Sequence, residues 1–390
     1  MKEGWEIRKL GSLCSINRDS GIHSEMPYLG MENIGSGNGK VISEGDISSV
    51  VGTTNLFQKG DVLYGKLRPY LKKVVVAEYN GCCSTEIIPL KCNCRLHPVY
   101  LKYWFLEDSI SDRINATCGG CRMPRANMKD VFQFDIPITT LSEQQRIVDI
   151  LDAEFEKIDR LRSNAELNLQ HAKDLFQAAL KEELEPKEGW QTRRVGDTFE
   201  ITDFVSNGSF ASLRENVKYY DEPNYAVLIR LADNSSGFNP ERFVYIDEHG
   251  YDYLSKSKLF GGELIMCNIG ATVGTTFICP NLGKPMSIGP NSLLIRTPNN
   301  QFFNYYLQNP SFKKKLRGII SKTTLEKFNK TQFKELTITF PSAQECNSIV
   351  ATLDDLNAKC KVLQDNYTKT IALCDDLKQA LLRKAFNGEL

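Results

Sequence analysis

The run LYGKLRPYLKK, from Leu63 to Lys73, combines four cations with two tyrosines and a proline. Between Phe57 and Val76 the chain has five cations and one acid, although its 48 Lys and Arg are balanced by 48 Asp and Glu overall. Such a run could bind a phosphate, supply a catalytic lysine or form a solvated strand. The choice depends on whether the remaining chain offers catalytic partners.

Catalytic partners are not evident in the sequence. The loop NIGSGNGKV (Asn33–Val41) differs from a phosphate-binding P-loop because Lys40 is followed by valine instead of Ser or Thr. GATVG (Gly270–Gly274) lacks the dinucleotide fingerprint, and the four histidines have no paired metal-ligand spacing. We therefore predict no catalytic residue and no cofactor on this chain.

The chain has twelve cysteines and begins with a charged, mixed segment instead of an apolar leader. We therefore expect reduced thiols and a cytoplasmic location. Two pairs raise the alternative of a zinc site, Cys92 with Cys94 and Cys118 with Cys121. The first pair has C-x-C spacing where zinc sites usually have C-x-x-C. We predict no metal, and whether these thiols bind one is left open.

The chain repeats itself. KEGWEIRKLGS at Lys2 returns as KEGWQTRRVGD at Lys187, and a shift of 202 residues aligns Ile147–Ala178 with Ile349–Ala380 at eleven identities in 32 positions. Roughly two identities would be expected from average residue usage. The 390 residues are also enough for two or three domains. The order is therefore globular half, helix, globular half, helix.

Both aligned segments predict long helices. Each starts with a capping box, Ser142 with Gln145 and Ser342 with Glu345. Each has apolar residues at alternating spacings of three and four, which is typical of a coiled-coil seam. The predicted seam residues are Leu151, Ile158, Leu161 and Leu175 in the first helix and Leu353, Leu356, Leu363, Leu377 and Leu381 in the second. A first helix of about 64 Å is too long to lie on its own half, so we expect it to pair with its repeat copy.

The predicted fold class is α+β. Short β-like runs such as KKVVVAEY and LTITF mix with short aromatic helices, without regular βαβ alternation. We expect two small mixed α/β domains in a pseudo-two-fold arrangement, separated by two long helices that form an antiparallel coiled coil. The expected boundaries are 1–141 and 186–341 for the globular halves and 142–185 and 342–390 for the spacer helices.

Several stretches together identify a family. PYLGMENI, KGDVLYGKLRPYLKK, CSTEIIPL, MPRANMKDVFQFDIPI and LSEQQRIVDILD in the first half resemble the specificity subunits of type I restriction–modification enzymes. GELIMCNIGATVGTTFI and ALLRKAFNGEL extend the resemblance through the second half. The start of the second helix, PSAQECNSIV, is a loose version of the family's wording.

The resemblance implies a non-catalytic subunit. Each half would be a target recognition domain for one part of a split double-stranded DNA sequence, and the helices would set the distance between them. Two modification subunits would dock on the helices and methylate adenine with S-adenosylmethionine. Restriction subunits, translocating nucleases that use ATP and Mg²⁺, would join them.

The basic loops then become candidate DNA contacts, since cations bind phosphates whereas Arg and Asn also recognise base edges. In the first half the candidates are Lys66, Arg68, Tyr70, Lys72, Lys73, Arg122, Arg125, Asn127 and Lys129. In the second half they are Arg230, Asn234, Asn268, Thr272, Lys322, Thr323, Lys327 and Lys330.

Other readings compete with a restriction–modification subunit. A free-standing nuclease or methyltransferase would need its own cofactor loop or metal-binding carboxylate cluster, which the sequence does not show. A non-catalytic coiled-coil scaffold would explain the helices but not the basic loops, and a two-headed DNA-binding adaptor outside restriction is a further alternative. The target sequence and its spacer length do not follow from any of these patterns.

Overall fold

The computed structural model describes residues 4–119, 122–321 and 325–390. The chain divides into two compact units. The first unit is Met1–Asn168 with Tyr367–Leu390, and the second is Leu169–Asn366. The cut falls inside each of the two long helices, so each unit contains a globular half and a segment of both helices.

The first globular half contains ten strands and three short helices and leads into the first long helix. The strands are β1 (Glu6–Lys9), β2 (Cys14–Ile16), β3 (Ser20–Gly21), β4 (Tyr28–Leu29), β5 (Thr54–Phe57), β6 (Val62–Gly65), β7 (Val74–Val76), β8 (Gly81–Cys83), β9 (Ile87–Cys92) and β10 (Asp135–Ile138). The helices are α1 (Pro98–Leu106), α2 (Asp108–Ala116), α3 (Met128–Val131) and α4 (Leu141–Glu183).

The second half has the same plan with more short helices. Its strands are β11 (Gln191–Arg194), β12 (Glu200–Asp203), β13 (Ala226–Ile229), β14 (Tyr245–Ile246), β15 (Lys258–Leu259), β16 (Leu264–Cys267), β17 (Thr276–Ile278), β18 (Met286–Ile288), β19 (Ser292–Arg296) and β20 (Thr337–Phe340). Its helices are α5 (Val195–Thr198), α6 (Phe210–Asn216), α7 (Leu231–Ser235), α8 (Glu248–Tyr253), α9 (Asn300–Gln308), α10 (Pro310–Arg317), α11 (Lys330–Lys334) and α12 (Ala343–Asn387).

Sheet topology repeats between the halves. An antiparallel sheet has the order β2-β9-β6-β7 in the first and β12-β19-β16-β17 in the second. In a further sheet, a central strand has one parallel and one antiparallel neighbour: β8 between β4 and β5, and β18 between β13 and β15. Only the fourth strand differs, since β3 joins β5 whereas β14 joins β13. The duplication read from the sequence is thus a duplication of topology.

The core of each half lies between the first sheet and an aromatic helix. Tyr100, Trp104 and Phe105 of α1 are almost fully buried, as are Phe302 and Phe303 of α9. Pro98 starts α1 at a position where its missing N–H costs nothing. Because α1 is apolar nearly all round, it lies inside the fold instead of on its surface.

The long helices begin close to their predicted starts. The Oγ of Ser342 accepts a hydrogen bond from the Glu345 N–H (3.4 Å), as the second capping box requires. At α4 the capping residue is Thr140 instead of the predicted Ser142: its Oγ1 accepts from Glu143 (3.3 Å) and its carbonyl from Gln144 (2.9 Å). A threonine two residues upstream offers the same acceptor, so the helix gains an extra half turn.

Within the first unit the two long helices run antiparallel. The Arg146 guanidinium donates to the carbonyl of Leu390 (2.7 Å), whereas further along α4 Arg162 pairs with Asp375. Residue numbers therefore rise on α4 as they fall on α12. Within the second unit, Leu180 near the end of α4 lies in the same buried cluster as Leu353 near the start of α12. The ion pair and hydrogen bond in the first unit and the shared cluster in the second unit all agree with the expected antiparallel pairing.

The seam differs from the prediction in one of its two rows. The predicted Leu151, Ile158 and Leu353 are buried, and Leu356 and Leu381 are half-buried. Leu161, Leu175, Leu363 and Leu377 are instead 49%, 50%, 40% and 48% exposed. The observed second row lies one residue after the predicted row that contains Leu161 and Leu175. On α4 it consists of the half-buried Phe155, Arg162, Leu169 and Phe176.

Aromatic contacts with the globular halves explain the shift. Phe155 packs against Tyr103 at 5.3 Å between ring centroids, and Phe176 packs against Tyr305 at 6.0 Å. In a heptad pattern, the second row of buried residues can lie either three or four residues after the first row. Burial of the large rings of Phe155 and Phe176 favours the spacing of four. The leucines that suggested the other row therefore face outwards.

Candidate nucleic-acid interface

Two segments that are distant in the sequence form one surface in the first unit. The β6 loop (Lys66–Lys73) follows strand β6, and the pre-α3 segment (residues 122–127) precedes helix α3. Leu67 bridges Arg125, the Arg68 N–H donates to the Pro124 carbonyl (2.8 Å), and the Ala126 N–H donates to the Lys66 carbonyl (2.9 Å). The two basic clusters predicted separately thus lie side by side.

The β6 loop has an unusual backbone at two cations. Arg68 and Lys72 have φ values of 51° and 47°, in the left-handed region that non-glycine residues rarely adopt. Backbone hydrogen bonds on both sides of Arg68 hold it there, from its own N–H to Pro124 and from the Leu71 N–H to its carbonyl (2.9 Å). Strain of this kind persists where surrounding structure fixes it, often at functional sites. The loop is therefore held in one conformation before any ligand binds.

Lys72 and Lys73 have internal partners, and their predicted contacts with DNA stay predictions. The Lys72 ammonium pairs with the Asp108 carboxylate of α2 and donates to the Leu106 carbonyl (3.4 Å). Lys73 donates to the Met31 carbonyl (2.6 Å). Both ammonium groups thus anchor the loop to its own domain.

Lys66 and Arg68 remain available. Arg68 is exposed and Lys66 is half-buried, and within the described ranges neither side chain has a hydrogen bond or ion pair. Beside them Tyr70 is 53% exposed. A free guanidinium, a free ammonium and an exposed phenol ring on one rigid loop can bind phosphate and pack on sugar or base.

In the pre-α3 segment, two of the predicted contacts are already engaged. The Arg125 guanidinium forms hydrogen bonds with both oxygens of Glu86 (2.8 to 3.1 Å), and this bonding lowers the pKa of Glu86. Asn127 caps α3, since its Oδ1 accepts from the Lys129 N–H (3.1 Å) and its amide donates to Asp130 (2.7 Å). Arg122 and the Lys129 side chain are exposed.

The second unit builds the same backbone platform from different side chains. The β16 loop (Asn268–Thr275) follows β16, and Ile269 bridges Lys327. The Gly270 N–H donates to the Glu326 carbonyl (2.9 Å) and the Phe328 N–H to the Asn268 carbonyl (3.2 Å). Every one of these pairs is the first-unit pair shifted by the same 202 residues.

Side chains at matching platform positions have different chemistry. Asn268 stands where the first unit has Lys66, Gly270 where it has Arg68, and Lys327 where it has Arg125. Gly270 also has a positive φ, 107°, so the backbone turn is retained while the cation is lost. The β16 loop accordingly offers an amide and hydroxyls, and the segment before α11 offers the ammonium of Lys327.

Asn268 and Thr272 hold the β16 loop in different ways. The Asn268 amide donates to the Phe328 carbonyl (3.3 Å), whereas its Oδ1 is buried and has no partner within the described residues. Thr272 is exposed and lies 3.7 Å from the Cys267 sulfur. The exposed Lys327 side chain has no partner within the ranges described.

Two other predicted cations are engaged internally. The Lys330 ammonium donates to Ser206 (2.7 Å) and approaches Asp203 at 3.4 Å. The Arg230 guanidinium pairs with the buried Asp233 (2.8 Å) and donates to the Arg242 carbonyl (2.8 Å). Arg230 follows β13, which belongs to the other large sheet, and Asn234 lies nearby in α7. The predicted contacts Lys322 and Thr323 lie outside the described residues.

One cationic feature was missed by sequence reasoning. Helix α10 has four cations in eight residues, PSFKKKLR, and it lines a cleft of about 590 Å³ together with the β16 loop. The charge run was visible in the sequence, but nothing in the sequence connects it with a loop some forty residues earlier.

The structure gives no support for zinc. Cys92 and Cys118 are half-buried and Cys94 is exposed, whereas Cys121 lies outside the described residues. Burial raises the pKa of Cys92 to about 12, which disfavours the thiolate form that binds metals. Within the described part of the chain, no three His, Cys, Asp or Glu side chains are grouped to hold an ion.

No described helix is long and apolar enough to cross a membrane.

Comparison with known proteins gives consistent results. The chain is 27% identical over 194 residues to the EcoDI specificity subunit of Escherichia coli, a match that covers 49% of this chain and 42% of that protein. It is 21% identical over 294 residues to the EcoKI specificity subunit of E. coli K12, with 72% and 62% covered. The chain thus spans about half of the length of these curated relatives.

A solved chain from work on complex assembly and conformational transition of the type I R-M system has the same fold. Its TM-score is 0.80 at 23% identity, with 100% of this chain and 99% of that chain covered. The family model described as "Type I restriction modification DNA specificity domain" matches twice, over residues 2–169 and 187–371, one match for each copy of the duplication. The chain therefore belongs to the family of type I restriction modification DNA specificity domains.

Proposed function

We propose that this chain is the DNA-recognition subunit of a type I restriction–modification complex and reads a bipartite, asymmetric target, with one half-site for each recognition unit. The observation that supports this most strongly is the repeated platform. Backbone pairing of Leu67 with Arg125 recurs as Ile269 with Lys327, while the side chains around it differ. One scaffold with two sets of side chains is what reading two different half-sites requires.

Docking of partner subunits belongs to the same proposal. The outward-facing side of the long helices exposes apolar side chains that a lone protein gains nothing by exposing. Within the described residues, those at least 40% exposed are Leu141, Leu161, Leu167 and Leu175 on α4 and Val362, Leu363, Leu373 and Leu377 on α12. We assign this helix surface to the modification subunits, with the restriction subunits joining the assembled complex.

Catalysis is assigned to the partners. Modification subunits would bind S-adenosylmethionine and methylate adenine, and restriction subunits would use ATP and Mg²⁺. This chain would contribute sequence recognition alone, in the bacterial or archaeal cytoplasm where the DNA is. The alternatives are a coiled-coil scaffold and a DNA-binding adaptor outside restriction, and one experiment separates the three.

The genes adjacent to the gene for this chain would be searched for an adenine methyltransferase. The chain would be co-produced with that methyltransferase in a host that lacks adenine methylation, and the host methylome would be sequenced. We expect one methyladenine motif made of two specific parts separated by unread bases. Methylation without a bipartite motif, or no methylation by a complex that assembles, would reject the proposal. A scaffold would bind the methyltransferase without conferring a motif.

Two single substitutions then test separate reading heads. Arg68→Ala removes the free guanidinium of the first platform, and Lys327→Ala removes the ammonium of the second. We expect each to weaken or relax one half of the motif and to leave the other half unchanged, because the two platforms lie in separate units. Equal loss in both halves would contradict the assignment of one half-site to each unit.

A further inference from the structure

Helix α10 presents a cationic face in the second unit. Its cations are Lys313, Lys314, Lys315 and Arg317, whereas Phe312 and Leu316 bury the opposite face. Lys315 donates to the Thr337 carbonyl (3.1 Å). Lys313, Lys314 and Arg317 are exposed, and within the described ranges no acidic side chain pairs with them. Three free cations on one helix attract an anion.

This face adjoins the β16 loop. Lys313 and Arg317 line the same cleft of about 590 Å³ as Thr275, and one acid, Glu326, lies in its wall. Gly274 permits the close approach: a Cβ there would come within 2.7 Å of the Leu316 side chain. The helix therefore packs directly on the loop to which we assign the second half-site.

The first unit has the opposite distribution of charge. Its loop has two free cations, but α2, the helix that corresponds to α10, contains Asp108 and Asp112 and a single cation, Arg113. Lys72 fills the space beside α2 and pairs with Asp108. At the matching positions the second unit has Gly274 and Pro310, so neither the lysine nor the acid of that pair is present beside α10.

We propose that Lys313, Lys314 and Arg317 bind backbone phosphates of the duplex whose bases the β16 loop reads, and so replace the loop cations of the first unit. This inference rests on the proposed function. The β16 loop itself has no cation, yet phosphate contacts supply much of the affinity of a DNA-binding surface. Cations in a last helical turn also stabilise the helix by a small amount, but that effect does not require Lys313 and Arg317 to line a cleft.

The test measures the salt dependence of DNA binding by the full chain in complex with its methyltransferase. The test variant combines Lys313→Gln, Lys314→Gln and Arg317→Gln. The matched control combines Arg214→Gln, Lys218→Gln and Lys284→Gln, which removes the same charge from exposed positions of the same unit that do not line the cleft. The probes are a duplex that contains the methylated motif and a duplex of scrambled sequence.

Each phosphate contact contributes about 0.9 to the slope of log affinity against log salt. A fourfold rise in salt should therefore weaken the wild type about 40-fold more than the test variant, if all three contacts are made. We expect the control to keep the wild-type slope and both variants to keep the wild-type melting temperature. We also expect the methylated motif to keep its sequence, since phosphate contacts position the protein without selecting bases.

Three outcomes would overturn the inference. They are a test variant with the wild-type slope, a control whose slope falls as much, and a motif whose second half is relaxed by the test variant. The last would mean that α10 reads bases. A wild-type complex that binds neither probe more tightly than the other would instead reject the proposed function, so the two failures are distinguishable.

Discussion

Arg68 combines two roles that a pair of substitutions can separate. Its φ of 51° places it in the left-handed region, which costs a residue with a Cβ roughly 1–2 kcal/mol. Arg68→Gly removes that cost. It also raises the conformational entropy of the unfolded chain, which lowers the free energy of unfolding by about 0.4–1 kcal/mol. Arg68→Ala keeps the strained backbone and removes only the long side chain. We therefore expect the glycine variant to be more stable than the alanine variant by about 1 kcal/mol.

The assay is thermal unfolding of the full chain, in which 1 kcal/mol corresponds to about 2–4 °C for a unit of this size. Lys66 in the same loop is the matched control, because it is absent from the residues with positive φ. There the order should reverse, with Lys66→Ala more stable than Lys66→Gly by about 0.5–1 kcal/mol. In DNA binding, both Arg68 variants should lose the same amount, about 0.9 in the salt slope for one phosphate contact.

An alanine variant of Arg68 that unfolds at or above the temperature of the glycine variant would refute the reasoning about strain. The same order at Lys66 as at Arg68 would do so too, because the effect would then not depend on the sign of φ. A glycine variant that binds DNA better than the alanine variant would contradict the claim that only the guanidinium contributes to binding.

Three further variants test other parts of the structure. Arg125 lowers the pKa of Glu86, so the stability that this pair contributes should be complete at neutral pH and should be lost as the pH falls through the lowered pKa. We therefore expect the melting temperatures of wild type and Glu86→Gln to differ at neutral pH and to converge well below about pH 4. Leu161→Glu with Leu377→Glu should leave melting unchanged, since both leucines are exposed, but should prevent co-purification with the methyltransferase. Asp233→Ala removes the buried carboxylate that pairs with the partly exposed guanidinium of Arg230 and should cost about 2 kcal/mol in urea unfolding, with an unchanged methylation motif.

The sequence was sufficient for the features that follow from long patterns. Two 32-residue segments with eleven identities predicted the two long helices, which the structure places at Leu141–Glu183 and Ala343–Asn387. The loops that follow β6 and β16 agree with the repeat, because both pair with the segment before the last short helix of their half. A prediction from a pattern that extends over many residues depends little on any single residue, so local departures from the pattern do not change it.

The sequence was insufficient where the orientation of a side chain depends on a one-residue shift in register or on a single contact partner. Leu161 and Phe155 both fit a heptad, and only the presence of Tyr103 on α1 shows which one faces inwards. Lys72 has the same charge as Arg68, but it is 36 residues from the Asp108 that binds it. Such choices depend on contacts between elements that are remote in the chain, and composition and spacing do not encode them.

The duplicated platform explains how the two halves could diverge without losing their fold. Its hydrogen bonds join backbone groups, so they tolerate a change from Lys66 to Asn268 or from Arg125 to Lys327 at equivalent positions. Two positions have a conformational demand: Arg68 and Lys72 in the first half correspond to Gly270 and Gly274 in the second, and all four have positive φ. Glycine meets that demand without strain, whereas arginine and lysine meet it at a cost, and such strain is often found where a side chain has a function. The first half thus accepts strain to place a cation on the loop, and the second avoids the strain and places its cations on α10.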